Sequence, residues 1–261
     1  MRRALATIAA VVAFSVFAPN VVSAEEANKP IREFDIATIE ALGQHMYRQD
    51  QEAWKATDIL LAKHNPARLQ AAGARGRIVD EGADRDVVRF IQATTTGIEA
   101  AYDVTFAPGV PPVLSEPVNR TLSAAELAQY NARLLAGKNF DFRCSRDPAN
   151  TVAFRDPDGK RWLVWVMSAT SDTSVMAVGG HVRFTISEDG ATLAQKDSLS
   201  KSCVFLPKNA DAVGYFFTHI VSKTPVETHV FASLAYGATY FEGTPDGSVW
   251  KIEKGKISKE K

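Results

Sequence analysis

The chain has 261 residues, with 30 basic and 30 acidic side chains and 46% of its residues drawn from the hydrophobic set. That length supports a self-sufficient core, in one large domain or two small ones. A formal charge of zero gives no electrostatic footprint for nucleic acid or for an anionic membrane surface, and so argues against both as partners.

The N-terminus reads as an export signal over residues 1–24. Arg2 and Arg3 are basic, Ala4–Ala18 is apolar, Pro19-Asn20 breaks the run, and Val22-Ser23-Ala24 offers small or aliphatic residues for cleavage. The apolar run falls short of the roughly 20 residues of a membrane span, and no later segment qualifies. The expected product is therefore periplasmic or secreted, with no stable membrane insertion after cleavage and a formal charge of −2. Residues 25–261 are expected to form a single α+β domain, helical over about 33–138 and β over about 139–261.

Glu25–Arg32 is polar and reads as a short flexible lead. Asp35 can cap a helix running to about His64, with Ile39, Leu42, Met46, Ala53, Ala56 and Leu60 as its apolar stripe and Gln49 at one polar place in it. Asn65-Pro66 ends this helix and starts a short one that stops near Gly73. Ala74–Ala83, rich in glycine and charge, reads as a loop. Asp84 is expected to cap another helix, with Val87, Ile91, Thr94, Ile98 and Ala101 on its stripe. Tyr102–Phe106 reads as extended, and four prolines make Ala107–Arg120 a non-helical connection. Ser123 and Glu126 form a capping box for a helix carrying Leu127, Tyr130 and Leu134, with Gly137 as its stop.

After Gly137 the hydrophobic period changes to two. Strands are expected at Thr151–Arg155, Arg161–Ser168, Val175–Val178, His181–Ser187, Ala191–Gln195, Cys203–Leu206, Tyr215–Val221, Val226–Tyr236 and Ser248–Glu253. Asp158-Gly159, Asp189-Gly190 and Asp246-Gly247 supply hairpin turns. Arg161–Ser168 is apolar on both faces and should be a central strand covered on both sides. The expected fold is α+β: N-terminal helices packed on a mostly antiparallel β-sheet closed by one disulfide. Cys144 and Cys203, the only cysteines, flank the strand-rich stretch, are expected to pair in an exported chain, and should join the first strand of the sheet to a later one.

Standard catalytic, nucleotide and metal motifs are absent from the linear sequence, so neither cofactor nor metal is expected. Asp156-Pro-Asp-Gly159 starts like a calcium loop, but Trp162, Val164 and Trp165 follow where ligands should continue. Ser171 or Ser174 with Asp172 and His181 has the residue types of a nucleophilic site without evidence of its geometry. The last candidate is a cluster on two polar strand faces. If Val226–Tyr236 is a strand, Glu227, His229, Phe231 and Ser233 share one face. His181 and Arg183 lie on the polar face of another strand. Together His181, Arg183, Glu227 and His229, with Phe231 as an apolar platform, are the expected ligand-binding residues. The expected function is a non-catalytic binding or interaction module of the cell envelope, with a small molecule or an envelope protein as its partner. The alternative is a periplasmic hydrolase whose site combines histidines and carboxylates from separate strands.

Overall fold

A computed structural model describes residues 30–260, so the expected leader at 1–24 lies outside the described residues. Among those residues no helix is long and apolar enough to cross a membrane. The architecture is α+β, with helices packed on largely antiparallel sheets and one disulfide, Cys144–Cys203.

The first helix, α1 (Ile36–Lys63), follows the sequence closely. The Asp35 carboxylate accepts from the Thr38 amide at 2.7 Å. Ile39, Leu42, Met46, Gln49, Ala53, Ala56 and Leu60 are its buried stripe. Asn65 then caps the short α2 (Pro66–Ala71), as its Asn-Pro start implies.

The next segment departs from expectation. Residues 74–106 form strands β1 (Ala74–Glu81), β2 (Asp86–Thr94) and β3 (Gly97–Phe106), joined by β4 (Val113–Ser115) into an antiparallel sheet in that order. The expected loop is thus an edge strand, and the expected helix after Asp84 is a hairpin. The reason lies in burial on both faces. Val88 of β2 packs with Ala56 of α1, while Ile91 packs with Tyr130 on the opposite side. Two inward residues three apart then imitate a helical step. The β-branched and aromatic content of Val87, Val88, Phe90 and Ile91, and the Thr94–Gly97 turn, belong to the strand reading.

Helix α3 (Ala124–Lys138) begins at the expected capping box: Ser123 N donates to Glu126 Oε2 at 2.7 Å, and Glu126 N donates to Ser123 Oγ at 3.3 Å. Its buried face differs from the expected stripe. Leu127 and Leu134 are exposed, and Ala128, Ala132 and Ala136 face the core with Tyr130. Small side chains let the helix lie close on the next sheet.

That sheet is β5 (Asn150–Arg155), β6 (Trp162–Met167), β8 (Val182–Ile186) and β9 (Leu193–Ser198), in that order. Every residue of β6 is buried, as expected. Trp162, Val164 and Val166 meet the α3 alanines; Leu163, Trp165 and Met167 meet Leu42 and Met46 of α1. Strands β7 (Val175–Ala177) and β10 (Phe205–Pro207) pair beside it.

The last unit contains the main correction. Val226–Tyr236 is not a strand: helix α4 (Glu227–Tyr236) occupies it. It connects β11 (Tyr215–Thr218) to β12 (Tyr240–Gly243), which run parallel, as such a crossover requires. Strands β13 (Val249–Glu253) and β14 (Lys256–Lys259) complete an antiparallel extension, and β12–β13 turns at Asp246-Gly247. Helix α4 is enclosed between α1 and this third sheet: Val230 and Ala232 pack with Ile39, Phe217, Tyr240 and Ile252. The approach to α1 is close enough that a Cβ on Gly43 would meet Val230 Cβ at 2.5 Å. Burial on most sides hides the helical period, and the chance alternation of Val226, Thr228, Val230, Ala232 and Leu234 imitates a strand. The overlooked stop was Gly237, which ends α4 in the left-handed region with its N–H on the Ser233 carbonyl.

The disulfide joins two loops rather than two strands, with Cα atoms 5.5 Å apart across a separation of 59 residues. A side chain at Gly180 would clash with Cys144 Sγ, so the bridge packs directly on backbone. Cys203→Ala should lower stability by about 2–5 kcal/mol in reversible denaturant titration under non-reducing conditions. An unchanged midpoint would show that the bridge does not constrain the unfolded chain.

Candidate metal centre

The βαβ unit places three ligating side chains together. His219 follows the C-terminal end of β11, its amide donating to Gly243 O at 2.9 Å. His229 lies in the first turn of α4, and Glu242 lies on β12. One ligand atom from each falls within 4.8 Å of the others. In sheets with parallel strands, ligand sites favour the carboxyl ends of those strands.

All three residues are buried: His219 is 3% exposed, His229 2% and Glu242 0%. Neither Glu242 oxygen has a hydrogen-bond donor. Its Oε2 lies 2.7 Å from His229 Nδ1, but the contact lacks hydrogen-bond geometry, and that Nδ1 is also without a partner. A buried carboxylate without donors is costly unless a positive charge compensates it.

His219 is held by its surroundings. The Ser222 hydroxyl donates to the Thr224 carbonyl at 2.7 Å, so it accepts from His219 Nε2–H, also at 2.7 Å. This leaves Nδ1 with the free lone pair, the arrangement in which a second partner orients a metal-ligating imidazole. Burial, and then the charge of His229, push His219 down to about 3, so the ring is neutral. The His219 and His229 rings meet edge to face at 4.9 Å, and Phe217 stands edge-on to His229 at 5.0 Å. Two imidazoles and a carboxylate are a donor set suited to zinc and related divalent transition metals. About 3.3 Å separates neighbouring donors around tetrahedral zinc, between the 2.7 Å of the His229–Glu242 contact and the 4.8 Å limit of the group, so small side-chain shifts would form the coordination sphere.

The expected residues are divided by the structure. Arg183 and Glu227 do meet, at 2.9 Å, although from β8 and α4 rather than from two strands. Arg183 is 1% exposed, so the pair belongs to a buried network and not to a solvated face. Its guanidinium also donates to Asp197 Oδ2 at 2.8 Å and to the Arg32 carbonyl, and lies over the Phe34 ring. Trp165 Nε1 donates to Glu227 Oε1 at 2.7 Å. Arg32 in turn pairs with Asp156, which fastens the last residue of the expected lead beside the sheet; residues 25–29 lie outside the described residues. Phe231 is no exposed platform: it packs against the cluster of Leu42, Met46 and Trp165.

His181 is buried, and burial first, then the charge of His229, push it down to about 3. Its Nδ1 accepts from the Ser168 amide at 3.2 Å. The Ser/Asp/His arrangement does not assemble, because Ser171 and Ser174 are exposed and the Ser174 hydroxyl donates to Asp172. Asp156-Pro-Asp-Gly159 is a hairpin turn in which Asp156 serves Arg32. His219 and Glu242 escaped the sequence reading. The parallel pairing that unites them depends on α4, whose local alternation imitates a strand.

A second titratable group lies between α1 and the first sheet. His45 and Arg48 both pair with Glu81, and His45 stacks on Phe154 at 3.9 Å. Burial first, and then Asp86, push the nearby Glu52 up to about 7 from its ordinary 4.5. The folded state therefore holds a proton that the unfolded state has released between those values. Stability from this group is full below about 4.5 and is lost as pH rises through about 7. Glu52→Gln should remove that loss, leaving stability unchanged at about pH 4 and higher at about pH 8. Partial exposure limits the gain to the order of 1 kcal/mol, measured by thermal melts across pH. Equal pH profiles for the two proteins would refute the shift.

No family model, curated protein or solved structure matches the chain.

Removing Arg183 would strand Asp197 and Glu227 in the interior. Arg183→Met should cost about 3–5 kcal/mol in denaturant titration. A loss below about 1 kcal/mol would show that the network is solvated.

Proposed function

We propose that this chain is an exported, non-catalytic cell-envelope protein that binds a divalent transition-metal ion, zinc by preference, through His219, His229 and Glu242. The observation that carries the reading is Glu242: fully buried, with neither oxygen hydrogen-bonded, beside two imidazoles. The metal would occupy the lone pairs that Glu242 leaves without donors and tie the end of β11, α4 and β12 together. Burial of all three ligands supports a structural or storage role, since no ligand presents an exposed face to a substrate. The Arg2–Ala24 pattern and the pairing of both cysteines support an oxidising, extracytoplasmic location.

The hydrolase alternative has one point in its favour. Two histidines and a glutamate also form catalytic zinc sites, in which the fourth position carries water. Metal-dependent turnover of an ester, peptide, phosphate or glycoside substrate would favour it over the binding role.

Native mass spectrometry of the protein isolated from its host tests the main reading in one measurement. The expected mass lacks residues 1–24 and includes one metal ion. Zinc at about a thousandfold over its dissociation constant should stabilise the metal-free protein by about 4 kcal/mol. Glu242→Gln should abolish that gain, because it removes the one anionic ligand of the three. Retention of the leader would refute export. A protein without bound metal whose melting is indifferent to zinc would refute the centre.

A further inference from the structure

A second site lies far from these ligands in the fold, against the first sheet. A cleft of about 170 Å³ opens between α1, α2 and strands β1 to β3. Its walls are largely apolar, with Leu60, Leu69, Phe90, Ile91 and Tyr102 contributing most of the large surfaces. An apolar cavity near this size accepts a benzene ring.

One charged side chain, Arg77, shares the lining. Its Nε is buried with no hydrogen-bond partner, and among the described residues no carboxylate or carbonyl pairs with its guanidinium. The carboxylate that acts on it through space, Asp50, is hydrogen-bonded to Asn150 instead. Burial lowers Arg77 from its ordinary value, and Asp50 offsets this only in part. Arg133 of α3 adds a like charge and is itself pushed down to about 9, by burial and then by Arg77. Arg77 thus stands half-buried and without a paired anion at the edge of an apolar cleft.

We propose that this cleft binds a small organic anion with an apolar body, of the size of an aromatic carboxylate, whose carboxylate pairs with Arg77 while its ring enters between Leu60, Leu69 and Phe90. The proposal is independent of the metal centre. The fork geometry of arginine matches a carboxylate, and an ion pair removed from water is stronger than an exposed one.

Isothermal titration of the purified chain with benzoate and with benzamide tests the idea without any substitution. Benzoate should bind with a Kd on the order of 1 mM, and its neutral isostere at least about tenfold more weakly. Arg77→Met should reduce benzoate binding to the level of benzamide. Ala72→Phe, at the exposed mouth of the cleft, should block both ligands while leaving the melting temperature within a degree or so of the unsubstituted chain. Equal affinity for the two ligands, benzoate binding indifferent to Ala72→Phe, or no saturable binding of benzoate would each overturn the proposal.

Discussion

Arg183 is the charge on which the assembly of the later elements depends. Its guanidinium reaches Asp197 on β9, Glu227 at the head of α4 and the Arg32 carbonyl in the lead. These contacts join the central sheet, the inserted helix and the N-terminal segment within a single buried hydrogen-bonded group. Two carboxylates share the cation, and Trp165 and Gln195 donate to their remaining lone pairs. Such a group contributes little net stability compared with an apolar replacement of the same shape, but it tolerates few other arrangements. It therefore fixes how α4 enters: with Glu227 toward Arg183, His229 is carried round toward β12 and Glu242.

The grouping of His219, His229 and Glu242 follows from that placement. Helix α4 lies against α1 at Gly43 and against the third sheet through Val230 and Ala232. A helix held on both sides presents its first turn at a fixed position between the ends of two parallel strands. The ligands come from the residue after β11, from α4 and from β12, and the His219 amide is still held by the Gly243 carbonyl, so backbone pairing sets much of their geometry. Ser222 adds the orientation of one ring.

The sequence was most readable where one local signal acted alone. Asp35 with its stripe, Asn65-Pro66, the Ser123–Glu126 box and the three Asp-Gly turns all describe interactions within a few residues, and each element they imply is present. The two-sided apolarity of β6 likewise announced a central strand. Reading failed where burial on more than one side erased the period. Val88 and Ile91 face opposite layers, and α4 has almost no solvent face. The site was legible only in fragments. Arg183, Glu227 and His229 were singled out for their chemistry, and two of them do pair, but His219 and Glu242 are united with His229 by a crossover that no local pattern displays.

The close seat of α4 on α1 also constrains the order in which the molecule can be completed. Synthesis yields α1 early, with Ile39 and Gly43 already facing the place that α4 will fill, while α4 itself is made some two hundred residues later. Until then this apolar face of α1 has no permanent cover. Contacts so distant along the chain slow folding and lengthen the exposure of incomplete surfaces. The first helix thus forms from local signals, yet the last fifth of the polypeptide must arrive before it is sheltered. Loss of the C-terminal segment would leave an adhesive groove rather than a smaller stable protein.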